Sequence, residues 1–152
     1  MRRYLPNWEQ YGIDKERYLE LLHMCRQYPL WKQKLADLSG IQALKMDSQP
    51  HGTDVGDPVA SLAEKRERFL RKVELIESCA RDIGDGAWAK PLIQNVCYDQ
   101  KYFMLDPLIM PTANRNAFFN RKREFFILLD ERVEKNYEQT ERERIQKQSL
   151  YR

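Results

Sequence analysis

Apolar side chains return at three- and four-residue steps along most of this chain, the spacing that gives an α-helix one buried face. Asp14 is placed to cap a helix beginning at Lys15, with Tyr18, Leu21, Leu22 and Cys25 as its stripe. Pro29 is expected to break or kink that helix, because it lacks an N–H and its ring clashes with the preceding turn. A continuation over residues 30–38 keeps Trp31 and Leu35 on one face, and Ser39-Gly40 is expected to end it. Residues 39–57 then read as irregular. Asp57-Pro58 starts the most regular stretch, an N-cap acid followed by proline at the first helical position. There Val59, Leu62, Arg66, Phe69, Val73, Ile76, Ala80 and Ile83 form a heptad seam with one polar member, flanked by Glu64/Arg68 and Glu67/Arg71 at i,i+4.

Gly84-Asp85-Gly86 reads as a hinge and a domain boundary. Ala87 to Val96 is expected to be helical, with Trp88, Leu92 and Ile93 inward, and Gln100 to Leu105 a second, short helix. Asp106-Pro107 and Met110-Pro111 bracket a turn, after which Thr112 or Asn114 caps a long helix with Phe118, Phe125, Leu129 and Val133 inward and Phe119 and Phe126 beside them. Beyond Glu131 large aliphatic residues nearly vanish, which predicts a solvated, fraying helix or disorder.

These elements predict an all-α protein: an N-terminal helical hairpin, or coiled-coil-like pair, followed by a C-terminal three-helix helix-turn-helix unit. The divisions are an irregular lead-in over 1–13, the hairpin over 14–83 with its loop at 39–57, the helix-turn-helix unit over 87–135 and a charged tail over 136–152. The seam can pair with the helix at 15–38 or with a second copy, so a homodimer through 59–83 stays open.

Composition narrows the classes. Of 152 residues 42% are hydrophobic, enough for a core, and 32% are charged, which suits long exposed helix faces. The net charge of +3 is too small to point to nucleic acid by itself. Its distribution is more informative: residues 115–123 hold Arg115, Arg121, Lys122 and Arg123 and no acid, a local basic stripe. No apolar run approaches a membrane span, and nothing long and apolar follows Met1-Arg2-Arg3, so neither membrane nor secretory signal is expected. Cys25, Cys79 and Cys97 are far apart and form no CxxC pair, which predicts buried free thiols in a reducing, cytoplasmic compartment and no metal.

Catalysis finds little support, and a non-enzyme without cofactor is expected. His23 lies in a helical pattern and His51 in the glycine-flanked loop without an identifiable partner, and no P-loop, GxSxG or HExxH pattern occurs. The C-terminal block has the order of a helix-turn-helix, in which the first turns of the last helix enter the major groove of double-stranded DNA. Those turns hold Asn114, Arg115, Asn116, Asn120 and Arg121, whose side chains can pair with guanine or adenine edges, while Lys122 and Arg123 suit phosphates. Two other readings compete: a phage packaging or assembly factor of small-terminase type, and a helical interaction protein with no nucleic-acid role.

Three motifs carry a resemblance. Tyr28-Pro29-Leu30-Trp31-Lys32, then Pro50-His51-Gly52-Thr53 through Gly56-Asp57-Pro58, then the run from Asn114-Arg115-Asn116 through Arg121-Lys122-Arg123 to Leu129 follow the order seen in a group of phage and prophage proteins. Over residues 15–131 the chain resembles the RinA/ArpU-type regulators of late phage transcription. The resemblance implies a prophage transcription regulator in a bacterial cytoplasm, with a C-terminal unit similar to the promoter-reading domain of sigma factors and RNA polymerase as a further partner. It also carries Arg115, Arg121 and Arg123 over as DNA contacts.

Overall fold

The computed structural model describes residues 12–47 and 58–151, and every regular element among them is helical. The α-helices are α1 (Lys15–Arg26), α2 (Tyr28–Asp47), α3 (Pro58–Arg81), α4 (Ala89–Val96) and α5 (Arg115–Leu150), with two 3-10 turns, Tyr102–Met104 and Pro107–Ile109, between the last two. The all-α class read from periodicity is the class observed. His51 and the other residues of the loop over 48–57 lie outside the described residues.

Local capping sets the starts of α1 and α5. The Asp14 carboxylate accepts from Arg17 N at 2.7 Å and opens α1. The break between α1 and α2 falls at Gln27 and not at Pro29. Pro29 instead sits in the first turn of α2, where a missing N–H costs no helical bond. Ser39-Gly40 does not end α2, which runs on to Asp47. The Ser39 hydroxyl donates to Leu35 O at 2.9 Å inside the helix, so its polar group is satisfied without a break.

The seam of α3 packs against α2 of the same chain. Val73, Ile76, Ala80 and Ile83 are buried, and Tyr28 and Trp31 are buried on the α2 side. Arg66, the polar seam member, is exposed, so it interrupts no packing. Lys72 lies over the Trp31 ring at 5.3 Å and Lys34 over the Phe69 ring at 5.2 Å, reciprocal cation–π contacts that clasp the hairpin. The Tyr28 hydroxyl donates to Glu77 at 2.6 Å, and burial together with that bond pushes its phenol pKa up.

Helix α5 crosses α3 and α1. Phe118, Phe125, Phe126 and Leu129 are buried, and Tyr18 meets Phe126 edge-on at 4.9 Å. Arg132 donates to Ser78 and pairs with Asp82, while Arg17 pairs with Asp130 at 2.6 Å and Glu134 at 2.8 Å. These charged contacts fix where α5 leaves the core. Cys25, Cys79 and Cys97 are buried and unbridged. A hydrogen bond with the Cys97 thiol, then burial, pushes the pKa of Cys25 up, and burial does the same for Cys79.

Gly84 and Gly86 take positive φ at the turn after α3, and a Cβ on Gly86 would meet Arg81 O at 3.2 Å. Ile83 before this turn and Trp88 after it belong to one buried cluster that draws on all five helices. The turn at 84–86 therefore redirects the chain over a shared core. Among the described residues no helix is long and apolar enough to cross a membrane.

Candidate nucleic-acid interface

The segment leading to α5 departs from a three-helix unit. Residues 100–105 hold a single 3-10 turn in place of a short α-helix, and a second 3-10 turn follows at Pro107–Ile109. Pro107 and Pro111 explain this, because each lacks an N–H and pushes the residue before it toward extended backbone, so no i→i−4 ladder can run through. Asp106 and Met110 are both extended. The Asp106 carboxylate accepts from Leu108 N at 2.9 Å and holds the turn. At the end of α4, Asp99 adopts a positive φ of 54° and pairs with Arg26 at 2.9 Å, which ties this connection to the end of α1.

Asn114 starts α5. Its side-chain oxygen accepts from Asn116 N at 3.0 Å and Ala117 N at 3.3 Å. Both lone pairs are thereby committed to the cap, and a bidentate pairing with adenine would need that same oxygen. The first turn of α5 contains no acid. The partial positive charge of its orphan N–H groups is consequently not offset from within the helix.

Arg115 is exposed, and its guanidinium lies over two rings, 5.3 Å from Phe119 and 5.7 Å from Tyr102. Tyr102 is held in turn by its hydroxyl bond to Ala113 O at 3.3 Å and by a tilted ring contact with the buried Phe118 at 5.2 Å. Arg115 thus stands on an aromatic platform rooted in the core. Tyr102 was not among the residues singled out from sequence; its only signal was an aromatic residue shortly before a capped basic helix. Asn116 and Asn120 are also exposed, and Asn120 accepts from Arg123 at 3.1 Å.

The next three cations are less forward. Arg121 is half-buried and directs one nitrogen at both oxygens of Glu124, at 3.0 and 2.8 Å. Arg123 is half-buried beside Asn120. Lys122 is half-buried over the Phe119 ring at 5.9 Å, and burial, then the nearby Arg26, pulls its pKa down. The seven residues named from sequence therefore divide by role. Arg115, Asn116 and Asn120 face outward, Asn114 is a cap, Arg121 is tethered, Lys122 lies over Phe119, and Arg123 braces Asn120.

Beside this end of α5 the 3-10 turns expose Phe103, Met104 and Leu108, the last 92% accessible. His23 is exposed on α1. Among the described residues no three metal-ligating side chains converge. Compared with protein-family models, with curated proteins and with solved structures, the chain matches none.

Proposed function

We propose that the chain is a sequence-specific DNA-binding transcription regulator that presents the amino end of α5 to the major groove. One observation carries the reading: this end buries Phe118, Phe125 and Phe126 while Arg115, Asn116 and Asn120 stand exposed, with no carboxylate from 115 to 123. A rigid aromatic base under Arg115 supports it further, because a preorganised guanidinium loses little freedom on meeting a guanine edge. The phage or prophage origin of such a regulator, and RNA polymerase as its partner, rest on the motif resemblance alone. The test is selection of a preferred duplex from a random pool, followed by anisotropy with Arg115→Ala. The variant should lose about 1–3 kcal/mol on the selected site and relax the choice at one base pair. Unchanged affinity and specificity would remove Arg115 from the interface.

A second reading, a helical interaction protein without nucleic acid, is favoured by the exposure of Phe103, Met104 and Leu108, since clustered apolar side chains in water usually await a partner. It gains if the wild-type protein binds no duplex even at low salt.

A further inference from the structure

Between α2 and α3 lies a groove of about 420 Å³ lined by four cations: Lys34 from α2, and Lys65, Arg68 and Lys72 from α3. Asp37 is the one acid on its lining among the described residues. Lys65 and Arg68 are exposed, and among the described residues neither pairs with a carboxylate. The Glu64/Arg68 pair that the spacing predicts does not form, whereas its neighbour Glu67–Arg71 does, at 3.0 Å. Lys34 and Lys72 are held over Phe69 and Trp31, so their ammonium groups are positioned without being neutralised. Several other cations are neutralised instead: Arg17, Arg26, Arg121 and Arg132 each meet a carboxylate. Like charges kept this close and unpaired repel one another, and an anionic partner relieves that repulsion.

We infer that this groove is a phosphate-binding surface that grips a nucleic-acid backbone without reading its sequence. The row Lys65, Arg68, Lys72 runs about 10 Å along the α3 axis, a length over which one strand of a duplex carries several phosphates at ~3.4 Å of axis each. Lys34 faces the row from the opposite wall. Three of the four cations are lysines, which meet phosphate as point charges and impose no bidentate geometry, as suits a backbone met in varying registers. An acidic peptide would meet the same charges, and it serves as the competing outcome below. The inference goes beyond the reading of α5 and does not require it.

The test is anisotropy with short labelled duplexes of random sequence, titrated between about 50 and 200 mM salt. The double variant Lys65→Ala/Arg68→Ala alters two exposed side chains, and circular dichroism and thermal unfolding check that it keeps the fold. It should bind every sequence more weakly by the same factor, and its slope of log affinity against log salt should shrink by about 1.8, at 0.9 per lost phosphate contact. Arg115→Ala, measured in parallel, should instead change the ratio between selected and random duplexes, so the two surfaces can fail separately. The inference is overturned if the double variant keeps the wild-type affinity and slope, if the wild-type protein binds no duplex at low salt, or if polyglutamate competes as well as duplex at equal charge concentration.

Discussion

The two halves of α5 share one unbroken helix and little else. From Arg115 to Val133 it is held from outside: Phe118, Phe125, Phe126 and Leu129 are buried, and Arg17, Ser78 and Asp82 reach it with charged or polar contacts. From Glu134 to Leu150 no side chain is buried, and Tyr137, Ile145 and Leu150 face water. The distal half keeps its helix by neighbours within itself, such as Gln139 to Glu143, Glu141 with Arg144, and the Thr140 hydroxyl on Asn136 O. Such contacts are worth roughly 0.2–0.5 kcal/mol each, whereas a buried phenylalanine is worth several. The same backbone geometry therefore rests on tertiary packing at one end and on local propensity at the other, and only the packed end can hold side chains still enough to recognise a ligand.

That contrast can be broken most strongly at Phe126, which is fully buried against Tyr18 and Phe125. Phe126→Ala should cost roughly 3–5 kcal/mol in urea unfolding; a loss below about 1 kcal/mol would mean that the proximal half does not depend on its core face. Next in size is Arg17→Ala, which frees Asp130 and Glu134 together at the point where the halves meet. A loss of about 1–2 kcal/mol is expected, reduced by the exposure of Glu134 and smaller in high salt. Smallest is removal of residues 139–152, expected to change stability by less than about 0.5 kcal/mol, because it deletes no buried side chain. Hydrogen exchange sharpens the picture: amides beyond Glu138 should exchange by local fraying, while those around Phe125 to Leu129 should open only with the whole molecule.

The helices themselves were largely legible in the sequence. The three- and four-residue returns from Tyr18 to Cys25 and from Phe69 to Ile83 reflect burial on one face, and burial is observed there. Caps at Asp14 and Asn114 were legible because a short polar side chain before an apolar period has one favourable use. Less legible was Pro29, whose effect depends on whether the chain bends before or after it. The continuation of α2 past Gly40 was hidden too, because a glycine inside a helix costs only about 1 kcal/mol relative to alanine and the rest of the helix can offset it. The short helix expected over Gln100 to Leu105 does not form, because Pro107 and Pro111 forbid the hydrogen bonds it would need.

Along α5, the residue order alone determined which positions point inward and which are charged, since both follow from a fixed helical period. Only the tertiary structure decided what each charge meets. Arg121 is tethered to Glu124, Arg115 stands on Tyr102 and Phe119, Lys122 lies over Phe119, and among the described residues Lys65 and Arg68 meet no carboxylate across a groove from Lys34. Period is a local property of one helix, whereas the partner of a long cationic side chain depends on how distant helices cross, and no single stretch of sequence contains that crossing.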